Sequence, residues 1–212
     1  MSIVDERAPA VRTASPRGRK SRKAALVRIA ARSFHEQGYD RTSVRDIAAS
    51  CGMTSGSIFY HFATKEDLLA WVVEEGMRHG HDIAERELTG KTGAAERYRA
   101  VIFGHLKALH DNQHEYAVSV REWDKLPPET RDTLRQMNNR FRERWTGILN
   151  DLRDAGILRS EPEVLRRMQV AAVSWTVHLR PEEVADLETL ADRIAAGGLN
   201  MTLAEFRALL TA

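Results

Sequence analysis

Residues 54–65, TSGSIFYHFATK, set three hydroxyls and a glycine in a row and follow them with a phenol, an imidazole and an ammonium. Thr54, Ser55, Gly56 and Ser57 are small enough to approach base edges in the DNA major groove, where each base pair shows a distinct pattern of donors and acceptors. Tyr60, His61 and Lys65 add donors suited to phosphate oxygens, which position a protein without reading sequence. The charge distribution points the same way. Residues 12–65 hold eleven Lys/Arg against three Asp/Glu, whereas residues 66–212 hold 20 against 25. A basic head on a neutral-to-acidic body suits a polyanionic partner, although the whole chain sums only to +2.

Other chemistry finds little support. There is no G-x-S-x-G elbow, no G-x-x-x-x-G-K-[ST] loop and no G-x-G-x-x-G. His110 and His114 have the i,i+4 spacing of a helical metal pair, but HDNQH lacks the internal glutamate of a zincin and no third ligand is evident. The one cysteine, Cys51, excludes a disulfide framework and is expected as a small core residue. No enzyme activity, metal or cofactor is expected. No apolar run reaches the roughly 18 residues of a membrane span, and residues 1–25 are too charged for a secretory signal. The expectation is a cytoplasmic protein that makes no use of a membrane.

These residues need elements to hold them. Among the 212 residues, 42% are hydrophobic and 29% charged, a globular balance. Residues 1–20 lack apolar periodicity and read as a flexible basic arm that carries Arg17, Arg19 and Lys20. Leu26, Ile29, Ala30 and Phe34 fall at helical spacing, and Gly38 closes that helix. Ser43 with Asp46 forms a capping-box pattern, Gly52 ends the short helix that follows, and Thr54 caps another over 55–60. A small Ala48, a turn glycine at 52 and a β-branched plug at Ile58 describe a helix-turn-helix. Thr64 caps a fourth helix, expected to run to about His81. Further helices are expected at roughly 93–111, 114–124, 128–154, 161–179, 186–196 and 202–210, separated by glycine and proline breaks. The fold class is all-α, with an arm at 1–20, a head at 21–65 and a helical body at 66–212.

The stretch YDRTSVRDIAASCGMTSGSIFYHFATKEDLL (39–69) resembles the DNA-binding domain of the TetR family of bacterial transcriptional regulators. The resemblance implies a ligand-responsive repressor that binds a near-palindromic, double-stranded operator as a homodimer. By position it implies that Thr54, Ser55, Gly56, Ser57 and Tyr60 face the DNA. Thr42, Arg45, His61 and Lys65 approach phosphates, and arms such as that with Arg17, Arg19 and Lys20 lie in or near the minor groove.

It further implies that the body binds a small-molecule effector and dimerises through its last long helices. Leu165, Met168, Ala171, Ala172, Trp175 and Leu179, with Leu187, Leu190, Ile194 and Leu199, form a stripe suited to a four-helix interface, or equally to an internal core. Phe103, Leu106, Tyr116, Val120, Trp123, Met137, Phe141, Trp145, Met168 and Trp175 are candidate pocket residues. Arg121 and Arg180 are candidate partners for an anionic ligand group. The blocks REWDKLP (121–127) and SWTVHLRP (174–181) resemble a subgroup that senses acyl-CoA thioesters in fatty-acid or sterol catabolism. A drug-like or other hydrophobic effector, or control by a protein partner, are the alternatives.

Overall fold

The computed structural model describes residues 16–111 and 114–211, with side chains from Lys23 onward. Among these residues the regular elements are all helical: α1 Pro16–Gln37, α2 Val44–Ser50, α3 Ser55–Phe59, α4 Lys65–Leu88, α5 Ala94–His110, α6 His114–Arg121, α7 Pro128–Asp154, α8 Pro162–Trp175, α9 Leu187–Gly198 and α10 Leu203–Leu209. Short 3-10 turns stand at Trp123–Lys125, Thr176–His178 and Pro181–Glu183. No described helix is long and apolar enough to cross a membrane.

Apart from α6 and α8, which stop at Arg121 and Trp175 rather than at 124 and 179, two boundaries differ from expectation. The arm was expected to extend to residue 20, but α1 already begins at Pro16. Proline is well suited to a first helical position, because the N–H it lacks has no partner inside the helix there. Residues 1–15 lie outside the described residues. The second difference is in α4, which continues past His81 to Leu88 because Ile83 and Ala84 go on burying its inner face. The charged residues around them hide this continuation in the sequence.

Local signals set the head. Ser43 and Asp46 exchange side-chain to backbone bonds at 3.1 Å each, closing the capping box of α2. Gly52 has φ +61°, a left-handed turn conformation that costs other residues energy. Ile58, with 1% exposure, wedges α3 against Ala48 and the rest of the head core.

That core does not stop at residue 65. Leu26, Phe34, Ile47, Ile58 and Phe62 share one cluster with Leu68, Val72 and Val73 of α4, and also with Val118, Leu126 and Leu134 beyond it. The first half of α4 thus packs as part of the head, and α6 is a second tie. A separate cluster around Tyr98, Leu106, Trp145, Ile148 and Phe206 makes the core of the body.

The α4–α6 tie is close. A Cβ at Gly76 would lie 2.8 Å from Tyr116 N and nearer still to the Glu115 carbonyl oxygen. Backbone cannot rotate aside as a side chain can, so Gly76→Ala must push the two helices apart. We expect a loss of about 2 kcal/mol in urea unfolding, within the usual range for overpacking. Wild-type stability would mean that α6 can shift freely on α4.

Candidate nucleic-acid interface and internal cavity

Thr54 sits at the N-cap of α3 and its Oγ1 accepts from Ser57 N at 3.2 Å. Its hydroxyl also meets Ser57 Oγ at 3.0 Å. Gly56 and Ser57 are exposed and Ser55 is half-buried. Tyr60, just past the helix, is 78% exposed and packs edge-on against His61 at 5.3 Å. Arg45 stands exposed on α2. The short polar face and its flanking donors are therefore open together. Phe59, half exposed beside them, was missed because an aromatic residue in a short helix reads as core.

Two expected phosphate contacts are placed elsewhere. Thr42 is 1% exposed, and its Oγ1 donates to Gly38 O at 2.8 Å and also lies 3.2 Å from Ser33 O. The hydroxyl closes the C-terminal end of α1, where carbonyls lack helical partners. Lys65 is also engaged. Its Nζ donates to Tyr39 O at 2.6 Å and lies 4.0 Å from the Tyr39 ring centroid, so it fastens α4 to the loop after α1. The side chains of Arg17, Arg19 and Lys20 lie outside the described residues.

The body holds a cavity of about 380 Å³ among α4, α5, α6, α7 and α8. Of the candidate lining residues it includes Tyr116, Val120, Trp123, Phe141 and Trp145. His81 stacks on Phe141 at 4.5 Å and bonds Asn138 Oδ1 at 2.7 Å. His105 lies edge-on to Trp145 at 4.7 Å. Burial, with a smaller contribution from His81, pushes the His105 imidazole down to about 3. Burial also lowers His81. Desolvation thus disfavours the charged form of both rings, and the interior is an aromatic, neutral surface. Arg135, Arg142 and Arg166 supply positive charge to its lining, and Asp124, paired with Arg131 at 3.7 Å, supplies one negative charge.

Several candidates fall outside this cavity. Leu106 is fully buried in the body core, and Phe103 is half-buried with the Arg99 guanidinium 5.7 Å from its ring. Met137 precedes Asn138 by one residue, about 100° around the helix, and is 36% exposed. Met168 and Trp175 are 63% and 67% exposed on the outer face of α8. Arg121 sits against His35 at the junction of α1 and α6. Arg180 pairs with Glu182 and Glu183 at 3.3 and 3.0 Å, in solvent. The missed arginines carried a usable signal: Arg135, Asn138, Arg142 and Trp145 recur at spacings of three and four along α7, one helical face. His110 and His114, in turn, end α5 and begin α6, so their spacing is not that of one helix. Among the described residues no group of three or more His, Cys, Asp or Glu could hold a metal.

The model of a family described as bacterial regulatory proteins, tetR family, matches residues 26–72, and that of a tetracyclin repressor-like C-terminal domain matches residues 91–201. The chain belongs to the TetR family. It is a DNA-binding, ligand-responsive transcriptional repressor rather than an enzyme. It is 32% identical over 189 residues to the HTH-type transcriptional repressor KstR2 of Rhodococcus jostii, covering 82% of this chain and 87% of that one. The ketosteroid transcriptional regulator KstR2 of Mycobacterium tuberculosis superposes with a TM-score of 0.68 at 22% identity, over 84% of this chain and 93% of that one. AibR, solved in complex with isovaleryl coenzyme A and operator DNA, superposes with a TM-score of 0.73 at 24% identity, over 86% and 98%. These last two likenesses show the TetR fold.

Proposed function

We propose that this TetR-family protein is a cytoplasmic homodimer that holds a near-palindromic operator through α3 and its flanks and leaves it when an acyl-CoA thioester enters the body. The observation that carries the effector is the cavity: a neutral aromatic interior with guanidinium groups in its lining. Its volume of about 380 Å³ lies at the lower end of small-molecule sites, typically about 300–1,000 Å³. The acyl group suits the rings, and the coenzyme phosphates suit the arginines. That AibR was solved with isovaleryl coenzyme A and operator DNA supports the same pairing.

The arginines differ in what holds them. Arg166 is forked on Glu163 at 2.7 and 2.9 Å, and Arg135 meets Asp132 at 2.8 Å. Arg142 has no ion pair among the described residues and is the natural phosphate partner. Dimerisation is assigned to the outer face of α8, where Val164, Met168 and Trp175 stand more than half exposed beside exposed Ala171 and Ala172. Alanines permit the close helix approach that a four-helix interface requires. Leu165 and Leu199 of the predicted stripe are instead buried in the protomer's own core. In operator binding, Thr54, Ser55, Gly56 and Ser57 read bases, while Arg45, Tyr60 and His61 hold phosphates.

The test is fluorescence anisotropy on duplex DNA from upstream of the protein's own gene, titrated with long-chain and sterol-type acyl-CoAs. A thioester releases the duplex, whereas free CoA and the free acid do not. Arg142→Ala weakens the thioester effect about tenfold, the scale of one charge-assisted hydrogen bond. Tight, salt-sensitive binding that no thioester disturbs would discard this effector and favour another lipophile or a protein partner.

A further inference from the structure

The junction of α1 and α6 carries a cluster that neither the DNA face nor the effector cavity uses. His35, in the last turn of α1, lies against His114, the first residue of α6, with ring centroids 4.9 Å apart and planes at 37°. From the other end of α6, Arg121 brings Nη1 to 3.4 Å from His35 Nδ1. Both imidazoles line a pocket of about 290 Å³ whose other walls are mostly apolar, including Leu109, Ala117, Val177 and Leu179.

The charged and titratable groups around the pair are few. On α1 itself, Glu36 is held by Arg32 at 2.8 Å. From α5, His110 lines the same pocket and meets Thr176 Oγ1 at 2.8 Å; that hydroxyl lies 2.6 Å from Val173 O, to which it donates. Asp111, at the end of α5, is held by Lys107 at 2.7 Å. From α6, His114 and Arg121 reach His35, buried Glu115 follows His114 in the chain, and Pro181 and Val184 bring no charge. Glu36 and Asp111 are thus already paired, and the residues closest to His35 across the junction are one fixed cation and one second imidazole.

We propose that His35, His114 and Arg121 form a proton-sensitive clasp between head and body, closed while the His35 imidazole is neutral and loosened when it is protonated, so that operator affinity falls on acidification. The step is electrostatic. Protonating His35 sets its half-buried ring, now cationic, 3.4 Å from the Arg121 guanidinium, and solvent around the exposed arginine screens that repulsion only in part. Burial first, then His114 and Arg121, hold the His35 pKa below its ordinary value, with Glu36 opposing. His110 is lowered by burial as well. A lowered histidine pKa means that the closed form binds the proton less readily than the open one. Its stability is therefore complete above about pH 6.5 and is lost as the pH falls below that value. The head seated by α6 carries α3, so a loosened junction lets the two recognition helices of a dimer leave the spacing set by one DNA turn, about 34 Å.

The proposal rests on the head being the DNA-binding part, and two measurements keep the questions separate. Thermal unfolding of the full chain without DNA, and anisotropy on the upstream duplex, are followed from about pH 8 to about pH 5.5 for the wild type, His35→Gln and His114→Gln. Glutamine keeps a polar, uncharged side chain that does not titrate. The DNA-facing His61 is common to all three proteins, so its contribution cancels in the comparison. The wild type is expected to lose about fivefold more operator affinity across this range than His35→Gln, with a steeper fall in its unfolding midpoint, and His114→Gln, which keeps His35 and Arg121, to fall between the two. Parallel affinity profiles overturn the clasp, whatever the midpoints do. A duplex unbound by every protein at about pH 8 counts against the operator assignment, and diverging or parallel midpoints then decide for or against the clasp.

Discussion

Ser57→Glu removes operator binding, lowering affinity at least about a hundredfold, while the protein stays folded with an unchanged or slightly higher unfolding midpoint. The two effects separate because of where residue 57 stands. Its side chain is exposed on α3, and its backbone N–H is the one that Thr54 Oγ1 caps at 3.2 Å. Glutamate three residues after a threonine cap completes a capping box, and a carboxylate in the first turn also complements the helix dipole. Locally the substitution is favourable. Toward DNA it sets a negative charge against phosphates at the proposed centre of the base-reading face, and like charges juxtaposed across an interface cost several kcal/mol. Anisotropy on the upstream duplex, with thermal unfolding as the folding control, checks both halves. Wild-type affinity in a folded variant would show that α3 does not enter the groove.

Trp145→Ala is expected to carry the largest stability loss, about 3–5 kcal/mol in denaturant unfolding, typical of removing a buried aromatic residue from a core. Trp145 is 1% exposed, lies edge-on to His105 at 4.7 Å and reaches Phe141 at 6.2 Å. It is both a core member of the body and a wall of its cavity. Its loss therefore enlarges the cavity as well as weakening the core. Among variants that remain folded, Trp145→Phe should keep much of the stability yet change which acyl groups release the operator. A Trp145→Ala protein that unfolds at the wild-type denaturant midpoint would mean that the indole packs far more loosely than its burial indicates.

Much of the head was legible because its signals are local. The Ser43–Asp46, Thr54–Ser57 and Thr64–Asp67 caps and the left-handed turn at Gly52 each depend on residues a few positions apart, and Ala48 and Ile58, ten apart, share one cluster. Helix positions in the body were legible for a related reason, since Pro127-Pro128, Gly156 and Pro162 mark breaks that backbone chemistry requires, although α9 runs on through Gly197-Gly198, where a break was expected. The extension of α4 to Leu88 was not, because Ile83 and Ala84 are few apolar residues among charges and gain their burial from other helices.

Side-chain destinations divide along the same line. Thr42 has the right type for a phosphate contact, but only the folded loop brings the Ser33 and Gly38 carbonyls to its hydroxyl. Met168 and Trp175 have the same apolar character as Phe141 and Trp145, yet one pair faces outward and the other lines the cavity. Arg121 and Arg180 share their charge with Arg142, and only Arg142 of the three reaches the cavity lining.

Sequence alone determined the helical class, the helix-turn-helix, the basic head and the family resemblance, because these follow from short-range spacing and from charge counted along the chain. Tertiary structure decided which faces of α7 and α8 turn inward, which arginines meet the cavity, and that His35 and His114, 79 positions apart in a chain of 212, pack ring against ring. Periodicity records that a helix has an apolar side. The direction of that side is set by the helices packed around it.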